Sequence, residues 1–260
     1  VETGYRIKKR GNKKGADMQG NLKTAALGGL IGAVVAVAVM AGAVALHMVP
    51  SDARLQSYLL SHPKLVLQMQ ALAEEQQAAE ARQAQIAKLQ KLGLKKFLDP
   101  NVAFVTGPAN AKNTIIEFYD YNCGHCRNTS AAVKAFMDKH KADTRFAFIE
   151  FPIFGDASTT AARASIAAHK QGDKFLALHF GLMSESGAVD QALLLQVAQK
   201  SGLDVVKLAS DLNAPETDKA LLAGYRLARE MNFSGTPMFI VNGQVHEGEI
   251  TEAELKKLVK

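Results

Sequence analysis

The sequence predicts an α/β sheet domain carrying an inserted helical lobe, preceded by a helical stalk and an apolar segment of membrane-spanning length. Three observations predict it. No Asp, Glu, Lys or Arg occurs between Thr24 and Ser51. Residues 51–97 are rich in Ala, Gln, Glu and Leu, a helical composition. Beyond Asp99-Pro100, strand-like runs appear, give way to helical ones and return near the C-terminus.

The chain has 260 residues, 48% of them apolar, enough for one good-sized core plus accessory segments. Its formal charge of +6 is concentrated at the start. Residues 1–23 hold seven Lys and Arg against Glu2 and Asp17, a net of +5, so the remainder is close to neutral. A basic surface for gripping phosphates is absent, which argues against nucleic acid as a partner. The cluster reads instead as a cytoplasmic tail flanking a transmembrane anchor at 24–50. That orientation sends the rest of the chain out of the cytoplasm, to a bacterial periplasm, as a single-pass inner-membrane protein. A cleaved signal is the alternative, since Ala43-Val44-Ala45 resembles a small-residue cleavage pattern. The apolar run exceeds a usual signal core of about 7–15 residues, which favours the anchor. Val1 reads either as an alternative start codon or as a residue upstream of a start at Met18; the export argument is the same in both cases.

Ser51-Asp52 can cap a short helix to about Ser61, and Pro63 suits the first turn of a longer one reaching roughly Lys96. Leu65, Leu72, Ala79 and Ile86 recur every seven residues, with Met69 and Leu89 alongside. This thin seam fits either a helix lying on its own domain or a homo-oligomerisation stalk at 51–97.

The sheet domain occupies 98–260. Strands are expected at 102–106 and 114–120, separated by Gly107, Pro108 and Asn110. A helix follows to about Lys139, burying Ala131, Val133, Phe136 and Met137, and a strand spans about 144–150. Residues 157–232 read as several helices with breaks near Gly172, Gly187, Gly202 and 213–215. The apolar residues of 175–183 are expected in the core, with parts of the lobe available for a substrate groove. A hairpin comprises 237–241 and 244–246 around Asn242-Gly243, a strong turn signal, and a last helix covers about 251–259.

Only two cysteines exist, Cys123 and Cys126. A bridge closing so short a loop constrains little of the unfolded chain, so chemistry explains the pair better than stapling does. Cys123 lies where a strand gives way to a helix, whose free N–H groups and dipole stabilise a thiolate. His125 adds a polar or cationic neighbour. These effects should bring the Cys123 pKa into the range of about 3.5–7.5 found for such motifs, with Cys126 as the less exposed resolving thiol. A stabilised thiolate makes the disulfide a willing oxidant. Zinc requires about four ligands, and neither a second cysteine pair nor a ligand-spaced group among His140, His169, His179 and His246 is present, so no metal site is expected.

Phe118-Tyr119-Asp120-Tyr121-Asn122-Cys123-Gly124-His125-Cys126, a helical insertion and then Gly235-Thr236-Pro237-Met238-Phe239-Ile240-Val241-Asn242-Gly243 resemble the DsbA-like branch of the thioredoxin superfamily. The resemblance covers about 99–260, and with the stalk the chain is similar to ScsC-type members. It implies a thioredoxin fold and a protein disulfide oxidoreductase or isomerase whose redox-active disulfide joins Cys123 and Cys126 and which needs no cofactor. It also implies that Pro237 is a cis-proline facing the cysteines, that Thr236 offers backbone groups to a substrate strand, and that Glu117 is a buried acid moving the proton of Cys126. For Glu117 the residues alone leave a second reading open, an ordinary acid on the solvent side of a strand. Asp120 and Tyr121 are expected to shape the loop rather than react. Thr236 matches isomerase-type members, and Gly124-His125 matches protein disulfide isomerase-like sites where many ScsC-type relatives have Gly-Tyr, so oxidase and isomerase both stand.

The partners implied are exported cysteine-containing clients and a membrane redox partner, either a DsbD/ScsB-like reductase or a DsbB-like oxidase. Two other function classes compete. The soft thiolates Cys123 and Cys126 suit Cu(I), as in a copper-tolerance protein. A membrane-tethered chaperone would use the stalk and lobe without the cysteines.

Overall fold

A computed structural model describes residues 52–259. The expected basic tail and apolar span, 1–23 and 24–50, lie outside the described residues. Among the described residues no helix is long and apolar enough to cross a membrane. The described residues fall into two units, one ending at Glu75 and the other starting at Gln76.

In the first unit, helix α1 (Asp52–Ser61) is followed by the start of α2 (Pro63–Leu92). Pro63 takes the first position of α2, where its missing N–H would have had no intrahelical partner. His62 marks the junction, with Nδ1 2.9 Å from the Tyr58 carbonyl oxygen and its ring stacked on Tyr58. Large apolar side chains stand in solvent along both helices: Leu60 is 75% exposed, Leu67 65% and Leu72 60%. Of the heptad positions, Leu65, Met69, Leu72 and Ala79 are exposed.

The second unit begins inside α2, where Leu89 is buried against Phe97 and Ile240 in one layer of core. The helix expected to reach about Lys96 stops at Leu92. Gly93 adopts φ +75°, a conformation that only glycine enters freely, and its N–H meets the Leu89 carbonyl at 2.8 Å. A 3-10 turn, Leu94–Lys96, follows.

Strand β1 (Phe104–Thr106) starts two residues later than expected. The Asp99 carbonyl accepts the N–H groups of Val102 and Ala103, holding both in a turn. Strand β2 (Asn113–Tyr119), helix α3 (Gly124–His140) and strand β3 (Thr144–Glu150) form a parallel β-α-β unit. Five helices come next: α4 (Asp156–His169), α5 (Lys174–Met183), α6 (Gln191–Lys200), α7 (Val205–Leu212) and α8 (Pro215–Glu230). Strands β4 (Met238–Val241) and β5 (Gln244–Glu247) and helix α9 (Glu252–Leu258) close the chain. Asn242 and Gly243 take φ of +50° and +83°, as the hairpin turn demands.

The sheet order is β1-β3-β2-β4-β5, with β2 central and only the β2–β3 pair parallel. Alternation along β2 sends Ile115 and Tyr119 into one core layer, with Cys123, Cys126, Phe136, Phe175 and Leu182. Ile116 and Phe118 enter the other layer, with Leu89, Leu227 and Phe233. Phe175, Leu178, Leu182 and Met183 are buried, so the 175–183 segment is core, as its composition indicated. Helix α8 lies close on β3 through Gly224, where a Cβ would stand 2.6 Å from the Glu150 carbonyl oxygen. These contacts fix the C-terminal end of β2, and with it the loop that presents the cysteines.

Candidate active site

The chain leaves β2 at Tyr119, turns through Asp120-Tyr121-Asn122 and enters α3 with Cys123 as its N-cap residue. Asp120 builds this turn. Its Oδ1 accepts the Asn122 N–H at 2.8 Å, its carbonyl accepts the Cys123 N–H at 3.1 Å, and its Oδ2 accepts the N–H groups of Ile153 and Phe154 at 2.7 and 3.1 Å. Asn122 ties the same turn to the helical lobe. Its Oδ1 accepts the Val189 N–H at 2.7 Å and its Nδ2 donates to Ser158 Oγ at 3.2 Å. Tyr121 is buried, its hydroxyl 2.8 Å from Ser165 Oγ and 3.2 Å from His179 Nδ1. Asp120 and Tyr121 therefore shape the loop, and Asn122, which sequence reasoning did not single out, shapes it with them.

Both cysteines are unbridged, and both are buried. The Cys123 thiol is lowered to about 5. The largest cause is the hydrogen bond from the Cys126 thiol. Burial opposes it, and the Thr236 side chain and the backbone N–H groups of Cys126 and His125 reinforce it. The value lies in the range expected for a cysteine opening a helix. Cys126 is pushed far up, first by burial and then by donating to Cys123. One sulfur is thus an anion at neutral pH and the other holds its proton, the division needed for an attacking and a resolving thiol.

Thr236-Pro237 is a cis peptide. The Thr236 carbonyl oxygen lies 3.1 Å from Cys123 Sγ, so the two motifs, far apart in sequence, meet at one sulfur. The Pro237 carbonyl accepts the Gly248 N–H at 3.0 Å, which fastens this loop to the far end of β5.

Glu117 is 2% exposed, between Phe148 and Phe239 on the flanking strands, so it is a buried acid and not a solvent-facing one. Burial raises its carboxyl to about 8. Its charge, when present, adds to what pushes the Cys126 thiol up. The His125 ring makes no hydrogen bond to Cys123, but the two interact through their charges. Its imidazole is hydrogen-bonded to Glu249, Nδ1 to Oε1 2.6 Å, and its backbone N–H adds to what favours the Cys123 anion. Among the described residues, no group of three or more His, Cys, Asp and Glu is arranged to hold a metal ion.

A family model described as thioredoxin matches residues 100–260. The chain belongs to the thioredoxin family. Its fold is that of the DsbA/ScsC-like thiol–disulfide oxidoreductases. A thioredoxin-like oxidoreductase from Silicibacter pomeroyi is 36% identical, with a TM-score of 0.59 over 64% of this chain and 94% of that one. BcfH of Salmonella enterica Typhimurium is 28% identical, with a TM-score of 0.67 over 88% of this chain and 97% of that one. A linker-deletion mutant of Proteus mirabilis ScsC shares the fold at 20% identity, with a TM-score of 0.63 over 80% and 94% of the two chains. Curated relatives also include a Na(+)/H(+) antiporter NhaA of Herminiimonas arsenicoxydans, 27% identical over 147 residues. The match covers 56% of this chain, which spans only 23% of that relative's length.

Proposed function

We propose that this thioredoxin-family protein exchanges disulfides with exported proteins through Cys123 and Cys126, acting as an isomerase and oxidase. The observation that carries the reading is the pairing of a low-pKa sulfur at a helix N-cap with a carbonyl-bearing cis-proline loop. In the oxidising direction a client thiolate attacks Cys123 of the Cys123–Cys126 disulfide. The S–S bond breaks, its electron pair goes to Cys126, and a mixed disulfide forms. A second client thiolate then attacks the client sulfur, releasing Cys123 as the stable thiolate and leaving the client oxidised by two electrons. In the isomerising direction the Cys123 thiolate attacks a client disulfide, and the freed client thiolate attacks another client sulfur. Should the client fail to rearrange, Cys126 loses its proton, attacks Cys123 and expels the client thiol. Glu117 is the neighbouring base for that proton. Thr236 and Pro237 align the client strand. Ile153 and Phe154, 38% and 55% exposed beside the Asp120 turn, offer an apolar surface for unfolded segments.

The protein is proposed to sit as a single-pass inner-membrane protein with its catalytic unit in the periplasm, recharged by a membrane reductase or oxidase. The exposed apolar side chains of α1 and α2 support self-association, which would let several sites engage one misfolded client. The test is twofold. Refolding of a scrambled-disulfide substrate should be lost in Cys123→Ser, and thiol alkylation in cells should trap Cys123 and Cys126 as a redox couple. Full activity in Cys123→Ser would overturn the reading.

A further inference from the structure

We infer that Glu249 is a positioning residue for this exchange site: from the turn between β5 and α9 it grips the His125 imidazole and keeps a cation beside the Cys123 thiolate. The inference rests on the disulfide-exchange reading and adds to it a residue outside both sequence motifs.

One carboxylate oxygen, Glu249 Oε1, accepts His125 Nδ1–H at 2.6 Å and Asn128 Nδ2–H at 2.9 Å. These residues are three apart and so share a face of α3. An exposed ion pair usually contributes little, because two long side chains must be held still. Here the main chain on both sides of Glu249 is already held. The Gly248 N–H is bonded to the Pro237 carbonyl at 3.0 Å. Ile250 exchanges two bonds with Thr129 Oγ1, its N–H donating at 3.0 Å and its carbonyl accepting at 2.6 Å. His246 Nε2 reaches the Glu249 carbonyl at 2.8 Å. The carboxylate is therefore presented from a turn fastened to the cis-proline loop on one side and to the middle of α3 on the other.

Accepting at Nδ1 fixes which ring nitrogen carries a proton in the neutral ring and favours the doubly protonated form. The hydrogen bond and charge of Glu249 raise the His125 pKa above its ordinary range, and Cys123 adds to that from its own side. Of the charged and titratable groups, Cys123 at the N-cap of α3 acts on His125, and His246 on β5, which touches the Glu249 main chain, faces Glu254 on α9. The cis-proline loop contributes only the uncharged Thr236. As pH rises through the raised His125 value the ring loses its charge, and with it the attraction for the thiolate.

Glu249→Gln separates this role from a structural one, because its effect must change sign with pH. Below the ordinary imidazole range, about 6.5, the ring is charged in both proteins, and the variant has merely lost an anion near the thiolate. There the equilibrium with glutathione should move slightly toward the dithiol. Between that range and the raised wild-type value only the variant has lost the cation, and there the equilibrium should move toward the disulfide by about two- to fivefold. His125 ring resonances, followed by NMR in the reduced protein and in Cys123→Ser, should titrate at lower pH in Glu249→Gln. The displacement should shrink with added salt. An unchanged His125 titration, or a glutathione equilibrium displaced equally at all pH values, would overturn the inference. The titration is read without any client, so its outcome is independent of whether the wild-type protein refolds scrambled substrates.

Discussion

The Cys123 thiol donates to the Thr236 carbonyl at 3.1 Å, while the buried hydroxyl of the same threonine has no hydrogen-bond partner. Once Cys123 ionises, its sulfur can only accept, and the Thr236 hydroxyl is the side-chain donor that favours the anion. Thr236→Val should therefore raise the Cys123 pKa by about one unit, the worth of a hydrogen bond to a charged group. Thr236→Ser should leave it nearly unchanged. Ultraviolet absorbance of the thiolate as a function of pH measures both.

The Cys123 titration also sets a pH dependence of stability. The folded pKa, about 5, lies below the ordinary thiol value, so the reduced form draws its full extra stability above the unfolded thiol range. That stability is lost as pH falls from about 9 through about 5. At pH 7 it amounts to about 2–3 kcal/mol. Chemical denaturation of reduced wild type against Cys123→Ala should show this gap at neutral pH and its disappearance in acid.

Glu117 behaves in the opposite sense. Its folded pKa of about 8 lies above the ordinary carboxyl value, so its favourable contribution is complete below about 4.5 and is lost as pH rises through 8. Glu117→Gln should remove this dependence and exceed wild type in stability at alkaline pH, by at most about 5 kcal/mol. It should also slow resolution by Cys126, so that mixed disulfide with a client peptide accumulates in quenched-flow traps.

Gly224 tests the packing of α8 on β3. A methyl group there meets the Glu150 carbonyl oxygen at 2.6 Å and Ile149 Cγ2 at 3.2 Å, and backbone cannot step aside cheaply. Gly224→Ala should lower the unfolding free energy by about 1–3 kcal/mol, measured by urea denaturation, although alanine is the better helix former.

Asn122→Ala should cost about 1–3 kcal/mol, because it leaves the Val189 N–H without its acceptor and severs the tie to Ser158. Hydrogen exchange at the Val189 amide should accelerate, and alkylation of Cys123 should lose its sharp pH dependence as the loop loosens.

What was legible in the sequence was what is local. Strand β3 lies where a strand is expected at about 144–150, and the Asn242-Gly243 turn, the helix opening at Cys123 and the core character of 175–183 follow from periodicity and turn chemistry. The end of α2 is not legible, because a single glycine among good helix formers is a weak break until its φ turns positive. Nor is the start of β1, because Val102 and Ala103 suit a strand and only the Asp99 carbonyl diverts them. The Glu249–His125 pair was invisible for a different reason. Its partners are 124 residues apart, and nothing in the sequence near either one announces the other. Asn122 meets Val189 across 67 residues, with the same result.

The helical lobe departs from the end of β3 and returns at β4, the two strands that flank β2. Both of its roots therefore stand beside the cysteine loop, while the order and register of the sheet are complete without it. A lineage can lengthen, shorten or resurface α4–α8 and so change which clients are gripped, leaving sulfur reactivity to α3 and the cis-proline loop. Diversification of appetite and conservation of chemistry become separable problems in this architecture, joined at the side chains of Tyr121 and Asn122.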